Sequence, residues 1–264
     1  MFEAYLERWN LVADGEPIVT HGSLLLPVRR GTTPAMLKIA IEAEEKFGAR
    51  LMTWWNGDGA ARVLAHDDDA LLLERAQGLQ SLADLARDDH DDEACRIICR
   101  VAAHLHAPRA PAPPDLIPLT RWFRDLAPAA AQHGGLLARA ADAAQALLSA
   151  PQDEVVLHGD IHHGNILDFG ARGWLAIDPK GLRGERGFDY ANLFCNPDAS
   201  TALAPGRLAR RVSVVAEAAG LDRQRLLHWI LAWGGLSAVW MVNDGMADDV
   251  DLTIVAAAAA ALDQ

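Results

Sequence analysis

Three oxygen-bearing side chains, Asp160, Asn165 and Asp178, fall at spacings that fit phosphoryl transfer. They lie in the stretch VVLHGDIHHGNILDFGARGWLAIDPKG, residues 155–181, where apolar triplets lead into and out of a polar loop. Residues 170–173, with a glycine at each end, punctuate a turn between Ile166-Leu167 and Trp174–Ile177. Pairing of those two runs as a hairpin brings Asn165 and Asp178 back opposite each other, so that an amide oxygen meets a carboxylate. Such a pair suits Mg2+, a hard ion that keeps waters and phosphate oxygens in its remaining positions. Asp160, on the loop just before, projects into the same space and can accept a proton from a substrate hydroxyl. A base that orients the nucleophile, and a metal that neutralises phosphate charge, are what transfer of ATP's terminal phosphate requires.

Neighbouring residues offer competing readings. The literal Asp-Phe-Gly at 168–170 begins too soon after Asn165 for a hairpin to close between them, so Asp168 reads as turn chemistry rather than a metal ligand. His158, His162 and His163 together with Asp160 could hold Zn2+ for a hydrolase, since imidazole suits that ion. Their order does not match the binuclear pattern H-x-H-x-D-H, and no downstream histidine cluster completes the set. The expectation is that His158 braces the loop by hydrogen bonds while His162 and His163 line its rim.

The elements that must position this loop follow from the hydrophobic pattern. Short apolar runs at Glu16–Thr20, Leu24–Arg30 and Ala35–Ala40 are separated by His21-Gly22-Ser23 and by Gly31-Thr-Thr-Pro34, which is hairpin punctuation. A helix over 41–55 ends at Asn56-Gly57, and runs at 60–65 and 70–75 read as two further strands around an acidic turn. The expected order is five strands and one helix. From Ser81 onward, apolar residues at three- and four-residue spacing predict helices over 94–106, 136–149, 207–219, 223–243 and 250–262, while the Pro-rich 108–118 crosses the surface. The fold class is therefore α+β: a small antiparallel sheet lobe, residues 1–77, joined through Glu74 to Gly78 to a larger helical lobe, residues 78–264, that carries the catalytic hairpin. Trp229, Trp233 and Trp240 fall on spacings that read as helix core.

In the sheet lobe, Lys38 is the lone lysine of an apolar strand. A buried ammonium needs an anionic partner, a phosphate or a glutamate. No G-x-G-x-x-G is present, so phosphate cover falls to His21-Gly22-Ser23, where glycine permits close backbone approach and serine adds a donor. A plain hairpin turn fits the same three residues.

The D-x-x-x-x-N spacing from Asp160 to Asn165, with a metal-binding Asp shortly after, resembles the catalytic loop of protein kinases. The His-Gly-Asp opening and Asp-Pro-Lys-Gly at 178–181 resemble the aminoglycoside phosphotransferase family. Within it, PAMLKIA, WWNGDGAARVL, LLLERA, HGDIHHGNIL, IDPKG and GERGFDYANLF resemble the streptomycin 6-kinase and hydroxyurea-kinase subgroup, from about residue 16 to the last helices. The resemblance implies a protein-kinase-like bilobal fold in which Lys38 reaches the α- and β-phosphates of ATP and pairs with a glutamate of the next helix. Glu44 and Glu45 are both candidates, with Glu45 preferred. It implies that Leu73 backs the adenine, that the Glu74 carbonyl and Ala76 amide are the adenine's partners, and that Asp189 supports the catalytic loop. It also implies direct in-line transfer to a hydroxylated, cationic small molecule, with streptomycin as first candidate and hydroxyurea or another metabolite as alternatives. A nucleotide-binding module without catalysis is the alternative of another class.

Bulk properties are compatible with such a ligand. The chain has 264 residues, is 51% apolar and carries a net charge of -12 with scattered basic residues, which disfavours nucleic acid as a partner. Glu185, Asp198, Asp244, Asp248 and Asp249 are the acids expected to face a cation, whereas the runs Asp67–Asp69 and Asp88–Glu93 read as solvated loops. The first 20 residues carry acids and lack an apolar run, and Ile254–Leu262 is far short of the about 20 residues that span a bilayer. A cytoplasmic monomer with no membrane partner is expected. Cys95 and Cys99, one helical turn apart, read as packing residues, and Cys195 leaves the cysteine count odd.

Overall fold

Alternation along residues 33–40 decides how the first lobe is built. Ala35, Leu37 and Ile39 are buried on one face of this strand, which sends Lys38 to the other. In the computed structural model, which describes residues 1–20, 22–42, 45–245 and 250–264, the strand lies at the middle of a sheet. The lobe runs α1 (Glu3–Arg8), β1 (Leu11–Ala13), β2 (Ile18–Val19), β3 (Ser23–Arg30), β4 (Thr33–Ala40), α2 (Glu45–Trp55), β5 (Val63–His66) and β6 (Ala70–Glu74). The sheet is antiparallel in the order β1-β3-β4-β6-β5, with β2 also paired to β3. Six strands among the described residues thus replace the expected five. The extra one, β1, buries just Leu11, too little for alternation to show in the sequence. α1 was also not expected; it lays Phe2, Tyr5 and Leu6 against the sheet core of Leu26, Val28, Ala35, Leu37 and Ile39.

α2 sits on the Lys38 side of the sheet. Its Leu51, Met52 and Trp55 belong to the core of the helical lobe rather than to that of the sheet. At Gly48 a Cβ would come within 2.0 Å of the Pro179 carbonyl oxygen, so glycine is what lets the helix approach the 178–181 loop. The helix begins at Glu45, later than the expected residue 41, and the candidate Glu44 lies outside the described residues.

The second lobe runs α3 (Leu82–Arg87), α4 (Asp91–His106), β7 (Ile117–Pro118), α5 (Leu119–Trp122), α6 (Leu126–His133), α7 (Gly135–Ser149), β8 (Glu154–Leu157), β9 (Ile166–Asp168), β10 (Trp174–Ala176), β11 (Leu182–Glu185), α8 (Ala199–Ala202), α9 (Arg207–Ala219), α10 (Arg223–Asn243) and α11 (Val250–Leu262). By length and composition α10 could cross a bilayer, but here it packs against α7 and α11 with Trp229 and Trp233 in the core. β9 and β10 form the expected hairpin, with Trp174 opposite Asp168 and Ala176 opposite Ile166. This register is one residue off the expected one. Ile177 rather than Asp178 faces Asn165, donating to the Asn165 carbonyl at 2.9 Å. The cause is the turn, which closes over a single 3-10 turn, Gly170–Arg172, clamped by a Phe169 N to Gly173 O bond of 2.9 Å.

Candidate active site

β8 delivers the chain to His158, a buried side chain whose two ring nitrogens are both used. Nε2 donates to the Ile177 carbonyl at 2.8 Å, and Nδ1 accepts from Asp160 N at 3.2 Å, which fixes the neutral tautomer. Burial holds the ring below the usual histidine value, so it stays neutral as that bonding demands. Trp55 of α2 stacks on it at a centroid distance of 6.1 Å. Asp189, on the 3-10 turn Arg186–Tyr190, accepts from His158 N at 2.9 Å and from Gly159 N at 2.7 Å. His106, at the end of α4, donates to the same carboxylate at 2.7 Å. The start of the loop is thereby tied to β10, α2, α4 and the 186–190 turn at once.

Asp160 follows with both carboxylate oxygens held by amides. Asn192 Nδ2 donates to Oδ1 at 2.7 Å, and Asn165 Nδ2 donates to Oδ2 at 3.1 Å and to the Asp160 carbonyl at 2.9 Å. Asn165 therefore turns its oxygen end away from Asp160. Asp178 adopts φ 61, a left-handed conformation that aspartate tolerates better than most residues, and its Oδ1 contacts Lys38. Lys38 also contacts Glu45 Oε2, to which Ser23 Oγ donates at 3.3 Å. Lys180 donates to Glu45 Oε1 at 2.9 Å and lies 3.9 Å from Asp160 Oδ2. Two ammoniums and three carboxylates thus form one network, with a single negative charge in excess. Burial alone would raise the Asp178 carboxyl, but Lys38 and Lys180 beside it outweigh burial and hold it below the ordinary aspartate value. For Lys180 burial works downward, yet Asp178, Asp160 and Glu45 push the ammonium above the ordinary lysine value. Both groups are charged at neutral pH.

Other sequence-predicted residues fall as follows. Gly22 closes the turn onto the end of β4, its carbonyl accepting from Ile41 N at 2.8 Å, while His21 lies outside the described residues. Ser23 is buried and spends its hydroxyl on Glu45, where a donor open to phosphate was expected, because it begins β3 with its side chain facing inward. Glu74 ends β6 with its carboxylate against Arg172 of the hairpin turn; Leu73 and Ala76 pack into the helical-lobe core. Asp168 is turn chemistry as expected, accepting from Gly170 N at 2.8 Å, and also receives Gln80 N at 3.2 Å. A Cβ at Gly78 would sit 1.9 Å from the Asp168 carboxyl carbon, so this aspartate seats the interlobe linker against the hairpin.

Several expectations need correction. His162 accepts from Gly164 N at 3.1 Å near the loop surface, but His163 does not line the rim: it is buried, and neither ring nitrogen has a protein partner among the described residues. Burial holds its ring down to about 3. Glu185 is unavailable to a cationic ligand, being buried under Trp229 Nε1 at 2.7 Å, Gln152 N at 2.9 Å and Arg225 Nε at 2.6 Å. Asp198 caps α8 and pairs with Arg87 at 2.8 Å. Asp244 is exposed at the end of α10, and Asp248 and Asp249 lie outside the described residues. Sequence reasoning assigned no role to Lys180, Asn192 or His106. The first two stand beside recognised residues, Lys180 two after Asp178 and Asn192 three after Asp189, which is the available signal.

A profile of the aminoglycoside/hydroxyurea antibiotic resistance kinases matches residues 8–245. The chain belongs to that family. This kinase is 56% identical over 245 residues to streptomycin 3''-kinase of Klebsiella pneumoniae, covering 91% of its own length and 92% of the relative's. It is 33% identical over 261 residues to streptomycin 6-kinase of Streptomyces griseus, with coverages of 91% and 82%. Among solved structures, a thermostable mutant of aminoglycoside phosphotransferase APH(4)-Ia in ternary complex with ADP and hygromycin B aligns with a TM-score of 0.67 at 15% identity, over 99% of this chain and 96% of that one. An ethanolamine kinase of Plasmodium vivax aligns with a TM-score of 0.61 at 14% identity, over 94% and 82%. At these identities the likenesses establish the fold, the protein-kinase-like α+β architecture. The enzyme is accordingly a phosphotransferase with an alcohol group as acceptor and ATP as co-substrate.

Proposed function

We propose that the kinase transfers the γ-phosphate of ATP to a hydroxyl of streptomycin, with Asp160 as the base, inactivating the antibiotic. The observation that carries this reading is the Asp160 carboxylate, held on both oxygens by amides and standing beside the lysine and carboxylate network. The acceptor oxygen attacks the γ-phosphorus as its proton passes to Asp160; the new O–P bond forms, the bond to the β-phosphate oxygen breaks, and ADP leaves. Lys38, oriented by Glu45, lies on the α- and β-phosphates, and Lys180 offsets charge beside the base. Asn165 Oδ1 and the ionised Asp178 are hard oxygen donors that fit Mg2+. When bound, the ion would neutralise charge on the phosphates. The nucleotide would lie between the lobes at 1–77 and 78–264, with Leu73, the Glu74 carbonyl and the Ala76 amide at adenine and the Gly22 backbone over the phosphates. A cytoplasmic monomer fits this role.

The greater identity to the 3''-kinase than to the 6-kinase favours the 3''-hydroxyl as the site of transfer. Purified enzyme with ATP, Mg2+ and streptomycin is expected to give a monophosphate whose phosphorus couples to the 3''-proton in a two-dimensional 31P–1H spectrum. Coupling at position 6 would reverse the regiochemistry, and transfer to hydroxyurea without transfer to streptomycin would remove the antibiotic as substrate.

A further inference from the structure

The proposed base is aimed by a relay of side chains that reaches well into the helical lobe. Asn192, on the 3-10 turn Asn192–Cys195, donates through Nδ2 to Asp160 Oδ1 at 2.7 Å. An amide side chain has two nearly isosteric ends, and with the wrong one forward Asn192 would set a carbonyl oxygen against a carboxylate. Asn196 removes that ambiguity. Its Nδ2 donates to Asn192 Oδ1 at 2.8 Å and to the Asn192 carbonyl at 3.0 Å, so the Asn192 oxygen is spent behind and its nitrogen is presented forward. The turn itself is pinned from α9: buried Arg211 donates through Nη1 to the Leu193 carbonyl at 2.9 Å and the Asn196 carbonyl at 2.6 Å. Its other nitrogens grip Asp91 of α4 at 2.7 to 3.1 Å. Each link is buried or half-buried.

We infer that Asn192, oriented by Asn196, is a positioning residue that selects the rotamer in which Asp160 meets the acceptor hydroxyl. This rests on Asp160 being the base. Asn165 alone would leave Oδ1 without a directed donor, and the carboxylate could rotate toward Lys180, 3.9 Å away on its Oδ2 side. Asn192 works through Asp160 and has no part in holding ATP, so its effect belongs in turnover rather than in nucleotide affinity.

The test is steady-state kinetics with ATP and streptomycin on Asn192→Ala, Asn196→Ala and the double variant, beside Asp160→Ala and with thermal unfolding of each. Positioning of a general base is worth part of the about 100- to 10,000-fold that such a base supplies, so Asn192→Ala is expected to lower kcat about 10- to 100-fold with KM for ATP within about 2-fold. Asn196→Ala should fall less far, and the double variant should be no worse than Asn192→Ala, since both changes break one chain of contacts. The inference is overturned if Asn192→Ala keeps kcat within about 2-fold of wild type while Asp160→Ala is inactive, or if the two single losses multiply in the double variant. Should Asn192→Ala fail to fold, a folded Asn196→Ala with unchanged kcat overturns it equally. Full activity in Asp160→Ala would instead refute the base assignment on which the inference stands.

Discussion

The residues with the most to do are those whose partners lie farthest along the chain. Asp160, Asn165 and Asp178 stand out in the sequence because the base and metal-donor chemistry proposed for them restricts the residue types and because they flank one short hairpin, two on the loop before β9 and one just after β10. Lys180 is different. Its meaning comes from Glu45, 135 residues away, and from Asp160 across the loop. Burial costs an unpaired ammonium dearly, so its position between two carboxylates is both structural and electrostatic. Lys180→Met removes the charge nearest the base while keeping the aliphatic stem. Loss of the fixed positive charge beside the proposed base predicts a fall in kcat of about 100-fold, with Lys180→Arg recovering part of it, measured as initial rates at saturating ATP. Glu185 shows the opposite error: an acid expected to face a cationic ligand is consumed by Arg225, Trp229 and a backbone amide, and charge in a sequence does not say where it is spent.

Elements are legible in proportion to their length. α4, α7, α9, α10 and α11 fall within three residues of the expected ranges, because each runs for at least 13 residues, α4, α7 and α9 with one apolar face and α10 and α11 apolar nearly all round. β1 and α1 are short and bury little of themselves, and the hairpin register depended on a turn whose closure no spacing rule fixes. The loop between β8 and β9 makes its own prediction. Its histidines are held neutral by burial, and for His163 the ring falls from 6.5 to about 3. Below pH 6.5 the unfolded chain takes up a proton that the folded loop refuses, so this contribution to stability is full above 6.5 and is lost progressively as pH falls toward 3. At pH 5 the loss from this one site amounts to about 2 kcal/mol at most. His163→Leu removes both the titration and two ring nitrogens that have no partner among the described residues, so urea unfolding of that variant is expected to lose less stability between pH 7 and pH 5 than the wild type. An unchanged slope would show that this ring does not titrate against burial.

On the scale of the whole molecule, the lobes do not divide where the elements do. α2 lies between β4 and β5 in sequence but packs Leu51, Met52 and Trp55 into the helical core, and Glu45 at its first turn reaches back to Lys38 on β4. Asp168 and Gly78 join the hairpin to the linker as well. The contacts that pair Lys38 with Glu45 and with Asp178 therefore span the two cores, and correct closure of the lobes is what assembles the site. The buried thiols take no part: burial pushes Cys99 up to about 12 and Cys95 higher still. The proposed role of Asp160 as the proton acceptor is tested most directly by single-turnover transfer with Asp160→Asn, in which the amide keeps the shape but cannot take the proton. ATP should bind this variant by calorimetry with an affinity within about 3-fold of wild type, while the rate of phosphoryl transfer to streptomycin falls by about 1,000-fold or more. Transfer at close to the wild-type rate with ATP bound would show that Asp160 is not the proton acceptor.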